Sequence, residues 1–407
     1  MRTIVINTGT ELLLGDVLNS HLSFIARQIL ALGLRIERQV TVPDGEAIRE
    51  AIEESRGAEI VFITGGLGPT TDDITREITA DLFGRKLGHD PAILRAIEER
   101  AARRGFRLTD RVARQADVPE GATVLPNEHG SAPGLYLPAD AATRRPHLFL
   151  LPGPPRELHP MFRDSVLPIL RRIVPGAAAI DRRMFRVAGM GESLVEEAVG
   201  ADLLALPGLE LGYCARPGEM DLRLIGSAAV VEEAERIVVA KLGAAIVSND
   251  GSTLEEAAVK LLTARKQTLA VAESCTGGYL AHRITNVPGA SAVLLGGYVT
   301  YSNEAKVAML GVDPALIDAH GAVSKQVAQA MAEGCRASAN SDFALATTGI
   351  AGPGGGSPEK PVGTVFIALA AKDRPVSVKK GFFPDDRPTF KVLTTQTALE
   401  MLRQRLR

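Results

Sequence analysis

Two stretches of this chain bring together residue types that could do covalent chemistry. The first, "VAESCTGG" at residues 271–278, sets Ser274 beside Cys275 where a strand-like run meets a helix-like one. A strand-to-helix turn can expose a nucleophile and aim backbone amides at a developing oxyanion. A hydroxyl also needs a base. His282 lies on the helix just begun, and His320 sits in the connector "DAHGAVS"; neither is followed by a supporting carboxylate. Lysine is the alternative. In "YVTYSNEAKVAMLGV", residues 298–312, Tyr301 stands at a strand end and Lys306 follows on a helix that Ser302 or Asn303 would cap. A lysine with its ordinary pKa, about 10.4, is protonated and useless as a base, so burial or a cationic neighbour must lower it. Taken alone, Lys306 reads as readily as a solvated helix lysine.

The second stretch is "ITGGLGPTTDDITREI" at residues 63–78. Gly65, Gly66 and Gly68 would let the backbone approach a ligand. Thr70 or Thr71 would cap a helix burying Ile74, Ile78 and Leu82, whose start suits a phosphate. Asp72 and Asp73 would repel that phosphate unless a divalent cation bridges them. Glu77, one turn after Asp73, would complete the metal site or position water. The plain alternative is a glycine turn with acids favouring the helix dipole.

Four further segments offer binding groups. The loops "LPNEHGSAPG" (125–134) and "LPGPPREL" (151–158) read as rigid rims. "FALATTGIAGPGGGSPEKPVGTVFIAL" (343–369) reads as strand, glycine loop and strand, rich in backbone donors, and Arg387 in "PDDRPTF" opens a helix facing a ligand anion.

The elements that must hold these groups follow from periodicity. In the first 170 residues "TIVINTG", "RIERQVTV" and "AEIVFITGG" are strands. A helix carrying Leu18, Leu22, Ile25, Ile29 and Leu32, and another in "GEAIREAIEES", lie between them. Alternating strand and helix predicts a doubly wound α/β domain with its ligand beyond the carboxyl ends of the strands. Residues 175–250 predict a small α+β module, with two strands about the Pro217-Gly218 turn. "SNDGST" at 248–253 is the best linker, and a third, α/β domain runs from 253 to 407.

Composition narrows the functional classes. With 46 basic against 48 acidic side chains, the net charge of −2 supplies no general field for nucleic acid or an anionic membrane. The three cysteines, Cys214, Cys275 and Cys335, lack a paired spacing. Neither a disulfide framework nor a zinc site is expected. No signal peptide and no apolar run of membrane-spanning length can be read, so a cytoplasmic location is expected.

The glycine-acid stretch with its two loops resembles the molybdopterin-binding fold, and more closely the N-terminal domain of the CinA family (competence/damage-inducible protein A), over residues 1–170. "AESCTGG", "TYSNEAK", "TGIAGPGG", "EKPVGTV" and "DR" closely match the CinA C-terminal domain over 253–407. The resemblance implies ADP-ribose pyrophosphatase activity in the first domain, with a divalent metal (Mg, Mn or Co) at Asp72, Asp73 and Glu77. Nucleotide contacts would come from Gly65, Gly66, Gly68, Asn19 and Asn127. In the last domain it implies deamidation of nicotinamide mononucleotide (NMN) without a metal, with Ser274 as nucleophile and Lys306 as base. Tyr301 would support catalysis, Ser291, Thr276, Gly277, Thr348, Gly349 and Arg387 would support substrate binding, and Cys275 would be packing. It further implies a KH-like middle domain and a homodimer. The middle region departs from a nucleic-acid-binding KH module: "GMGE" is not G-x-x-G, and five acids but no Lys or Arg lie between Gly189 and Cys214. "PDDR" departs from the family's glycine before Asp-Arg and puts the placing of Arg387 in question. The rival readings are molybdopterin-type nucleotidyl transfer and a non-enzymatic competence or repair scaffold.

Overall fold

A computed structural model describes residues 1–105, 107–174, 180–372 and 374–407. The expected start of the middle module, residue 175, lies outside the described residues. The chain forms two compact units, Met1–Ile180 and Asp181–Arg407. The middle module and the C-terminal domain therefore share one unit.

The first unit is built on a six-stranded sheet ordered Arg35–Val42, Arg2–Thr8, Ile60–Thr64, His147–Leu151, Gly134–Leu137 and Thr123–Leu125. The first four strands run parallel and the last two are antiparallel. Ile60–Thr64 is buried along its whole length, as a central strand covered on both faces requires. Val5, Phe62 and Phe149 face one core with Ile25 and Leu158, while Ile4, Ile6 and Ile63 face another with Ile48 and Ile78. This is the doubly wound arrangement read from the sequence. One element differs: a short helix, Thr10–Leu14, follows the first strand, and the expected longer helix spans His21–Leu30, leaving outside it both Leu32 and Leu18, the latter 93% exposed.

In the second unit, residues 181–248 form a four-stranded antiparallel sheet ordered Glu210–Arg216, Glu219–Gly226, Asp181–Ala188 and Ile246–Ser248. Helices Glu192–Leu204 and Ala228–Leu242 pack on it through Val195, Val199, Ala234 and Val238. Thr253 then starts the next helix with a capping box to Glu256.

The C-terminal domain carries a five-stranded sheet ordered Leu294–Val299, Leu269–Glu273, Phe343–Gly349, Thr364–Ala371 and Arg374–Phe382. The first three are parallel, and the last two add as antiparallel strands. Alanines 270, 272, 344, 346, 368 and 370 line one face, which allows the helix Lys325–Ala339 to sit close. The final helix, Arg387–Arg405, covers the opposite face through Phe390, Ala398, Leu399 and Leu402.

That final helix also holds the middle module. Gln396 donates to Glu219 at 2.6 Å and accepts from Arg283, which in turn pairs with Glu255. Arg403, 1% exposed, donates to the carbonyls of Ile246 and Ala244.

No described helix is long and apolar enough to cross a membrane.

Helix Lys325–Ala339 reaches the helix that carries Lys306 through Gly334: a Cβ there would lie 1.8 Å from the carbonyl oxygen of Leu310. Gly334→Ala should therefore destabilise the second unit by about 1–3 kcal/mol, the usual cost of overpacking. Urea unfolding should show a lower midpoint, whereas Gly354→Ala, which meets nothing within 4 Å, should leave it unchanged.

Candidate functional site

Strand Leu269–Glu273 ends at Ser274, and its five residues are wholly buried between the neighbouring strands. The chain then turns through Gly277 (φ 59°) and Gly278 (φ 92°) into helix Tyr279–Thr285. Both values lie in the left-handed region that glycine enters without a steric penalty. The turn is held by Glu273, which is fully buried. Its carboxylate accepts the amides of Gly278 (3.0 Å), Leu280 (3.0 Å) and Ala281 (2.8 Å). Those are the donors a helix start leaves unsatisfied. Sequence reasoning passed over Glu273; an acid ending an otherwise apolar strand was the available signal.

Ser274 itself is fixed by its amide, which donates to Thr347 O at 3.0 Å. Among the described residues no acceptor takes the amide hydrogens of Cys275 or Thr276, the two that follow Ser274. Lys306 is 1% exposed, and its Nζ stands 3.2 Å from Ser274 Oγ. The carbonyls of Thr300, Tyr301 and Ser302 surround the same nitrogen at 3.0, 3.3 and 3.3 Å. A neutral amine can share its two hydrogens among these three carbonyls and turn its lone pair to the hydroxyl of Ser274. Burial is the main influence on Lys306, and it lowers the pKa below the ordinary lysine value. Helix Asn303–Leu310 begins with Ser302, whose Oγ accepts the amide of Ala305, so Ser302 is the cap.

Cys275 points into the apolar core, and burial pushes its thiol up to about 12. Its thiolate is therefore strongly disfavoured at neutral pH, as the packing role expected. His282 Nε2 meets Asn286 on its own helix, and the backbone carbonyl of His320 accepts Lys360.

Arg387 reaches the site despite the "PDDR" loop. Asp386 caps the final helix by accepting the amide of Thr389. The Arg387 guanidinium donates to Tyr301 Oη at 2.8 Å and to Gly352 O at 2.9 Å. Tyr301 is 61% exposed, so its ring is free to meet a ligand.

Other expected residues are placed differently. Thr276 is fully buried, its hydroxyl 2.8 Å from that of Thr347. The Thr348 hydroxyl donates inward to Ala322 O, and Gly349 pairs with Val365 inside the sheet. Close packing therefore occupies both threonine side chains and leaves Thr276 only its backbone amide to offer a ligand. Ser291 lies ahead of strand Leu294–Val299, whose first residue pairs with Leu269, while Ser274 follows the other end of that pairing. Roughly 15 Å of strand separates the two within one chain.

In the first unit, a cavity of about 360 Å³ lies beyond the carboxyl ends of the parallel strands. Thr8, Gly65, Gly66, Gly68, Gln115 and Gly153 line it with five carboxylates, Glu11, Asp44, Asp72, Asp73 and Glu157, and no Lys or Arg. The glycines are required chiefly by internal packing. A Cβ at Gly65 would meet Thr8 Oγ1 at 2.4 Å, at Gly66 Thr75 Oγ1 at 2.0 Å, and at Gly68 Asp73 Oδ2 at 2.5 Å. The helix begins only at Thr75, without a side-chain cap, so neither Thr70 nor Thr71 caps it. Thr70 Oγ1 instead meets the carboxylates of Asp72 and Asp73, both at 2.5 Å.

Glu77 does not join that pair. Asp73 precedes the helix, so the two acids do not share a helical face, and Glu77 pairs with Arg114 at 3.0 Å. Among the described residues no three metal-binding side chains form a closed set. Asp72 and Asp73 still fit an open site for a cation that arrives with an anionic ligand. The same cavity holds the buried oxygens Thr8 Oγ1 and Gln115 Oε1, which have no partner among the described residues, and no Lys or Arg lines it, although Arg156 lies 3.8 Å from Glu157. Asn127 accepts the amides of His129 and Gly130 and donates to Ala132 O and to the cavity carboxylate Glu157, and Asn19 accepts the amide of His21; neither lines the cavity.

The comparisons with known proteins follow these boundaries. The chain matches the "Probable molybdopterin binding domain" over residues 4–172, the "Damage-inducible protein CinA KH domain" over 182–247 and the "CinA C-terminal domain" over 251–406. It is 44% identical to a CinA-like protein of Akkermansia muciniphila, covering 98% of this chain and 96% of that one. It is also 44% identical to a putative competence-damage inducible protein of Moorella thermoacetica, covering 100% and 99%. Among solved structures, the competence/damage inducible protein CihA from Agrobacterium tumefaciens is 42% identical over 37% of this chain and 94% of its own, with a TM-score of 0.36. With relatives so similar along its whole length, the chain belongs to the CinA family.

Proposed function

We propose that the C-terminal domain is a Ser/Lys amidase acting on NMN. The observation that carries this reading is the buried Lys306 Nζ, 3.2 Å from Ser274 Oγ, with burial lowering its pKa. In the proposed reaction Ser274 Oγ attacks the carboxamide carbon as its proton passes to the neutral Lys306 amine. Negative charge gathering on the carboxamide oxygen would be met by the unpartnered amides of Cys275 and Thr276. When the carbon-nitrogen bond breaks, the Lys306 ammonium returns its proton to the leaving group, and ammonia departs. Water then attacks the acyl-serine with Lys306 again taking a proton, giving nicotinate mononucleotide and free serine. Arg387 and Tyr301 suit the substrate's phosphate or ribose, and no metal enters this chemistry.

For the first unit we propose hydrolysis of ADP-ribose to AMP and ribose 5-phosphate. The acidic cavity beside the glycine loop supports this reading if the pyrophosphate is accompanied by a divalent cation. Asp72 and Asp73 would hold that ion, which would offset phosphate charge and make a bound water more acidic. Glu77 is left out of the set by its pairing with Arg114.

Release of ammonia from NMN and of AMP from ADP-ribose, each with and without a chelator, tests the division. Chelation should abolish the second and spare the first; equal sensitivity would overturn the two-site reading. Asp73→Asn should remove ADP-ribose cleavage and leave deamidation intact.

The nucleophile is tested by substitution and pH. Ser274→Ala and Lys306→Ala should each reduce deamidation to a similar residual level, because groups acting as a unit are not additive. Cys275→Ala should retain activity and resist iodoacetamide. The neutral amine is the active form, so kcat/KM should rise with pH through an apparent pKa below that of free lysine. A flat profile, or loss of activity in Cys275→Ala alone, would contradict the mechanism.

A further inference from the structure

Lys391 lies one turn after Arg387 on helix Arg387–Arg405, so both project from the same face. Its Nζ stands 3.9 Å from where a Cβ on Gly277 would sit, and 5.7 Å from the centroid of the Tyr279 ring. Gly277 and Tyr279 belong to the turn that carries Ser274, and Gly277 donates its amide to Ser274 O. Lys391 is therefore beside the turn that carries Ser274.

Apart from the Tyr279 ring, its electrostatic setting gives no stabilising reason for a cation. No carboxylate or carbonyl among the described residues takes the Lys391 ammonium. Asp386, the nearest acid along the chain, is engaged with the amide of Thr389, and the helix's first turn holds no acidic residue. Arg387 and Lys391 both sit in the first two turns, where the helix dipole disfavours positive charge, and like charges four residues apart repel. A dianion between them would reverse each of these costs. A phosphomonoester supplies two charges and three acceptor oxygens, whereas a hydroxyl or a sugar supplies none of the charge.

We propose that Lys391 is a specificity-determining residue, the second cation of a subsite that with Arg387 selects a phosphorylated ribose over the free nucleoside. This rests on the amidase reading above and extends it to a side chain that the sequence motifs did not single out. Tyr279, over whose ring Lys391 lies, keeps the lysine side chain directed at the turn rather than at solvent.

The test compares wild type, Lys391→Ala and Lys391→Arg as full-length chains, with NMN and nicotinamide riboside as substrates. Lys391→Ala should raise KM for NMN about tenfold or more, as loss of a charge-assisted contact does, with kcat nearly unchanged. Its kinetics on the riboside should equal the wild type's, and Lys391→Arg should restore most of the NMN affinity. A purely structural lysine would instead lower kcat on both substrates and the urea midpoint together, without rescue by arginine. Calorimetric titration with ribose 5-phosphate and with ribose, under chelation, reads the subsite without any turnover. Wild type should bind only the phosphate, and Lys391→Ala should bind it about tenfold or more weakly. Equal binding of ribose 5-phosphate by wild type and Lys391→Ala would overturn the proposal. Failure of wild type to deamidate NMN, with the lysine-dependent binding present, would overturn the amidase reading alone.

Discussion

An amine removed from water is the constraint around which the C-terminal domain is organised. Lys306 is 1% exposed, and a charge so placed is costly unless the surroundings compensate or the group gives up its proton. Three carbonyls at 3.0–3.3 Å supply partial compensation, but no carboxylate contacts the nitrogen. The balance keeps the lysine in place while weakening its hold on the proton. Each neighbouring element serves that balance. The strand register ties Thr300 N to Glu273 O, which fixes the carbonyls relative to Ser274. The Glu273 carboxylate fixes the turn from the other side.

The same residues show what could be read from sequence and what could not. Alternation and apolar runs revealed the first three strands of the N-terminal sheet and most of those in the C-terminal one, because burial on one or both faces imposes a period that a single chain displays. The nucleophile turn and Arg387 were also legible: a strand-to-helix junction and a helix start are local events. Contacts between distant segments were not. The spacing of Asp73 and Glu77 suggested one helical face, but the helix starts after Asp73, and Arg114 from a different segment claims the glutamate. Thr276 and Thr348 looked like ligand contacts within glycine-rich motifs, yet packing against Thr347 and Ala322 turns their hydroxyls inward. Glu273 stood out only as an acid ending an apolar strand; its role as an anchor did not, because its partners, three backbone amides, have no residue type to recognise.

The glycines of the first unit make a related point. Their motif suggests room for a ligand, but Gly65, Gly66 and Gly68 are first of all needed by Thr8, Thr75 and Asp73. The cavity is formed by the loops that this close packing brings together. Its chemical character comes from the carboxylates around it, contributed by five separate positions along the chain. A glycine motif therefore identifies where a rim bends, while the charge of the lining decides which ligands it can accept.

The polar tract at residues 248–253 has the composition of a segment that a protease would cut to release an autonomous domain. The buried Arg403 argues against a clean release. Its guanidinium is held by carbonyls on the far side of that tract, at Ala244 and Ile246, and Gln396 on the same helix is held by Glu219. A nick there would break one peptide bond and leave the two pieces associated. Actual separation would strip an arginine of its buried acceptors and expose the middle of the helix that begins with Arg387. The middle module thus acts as a missing wall of the domain that follows it, and a homologue lacking it must resurface that helix in order to stand alone.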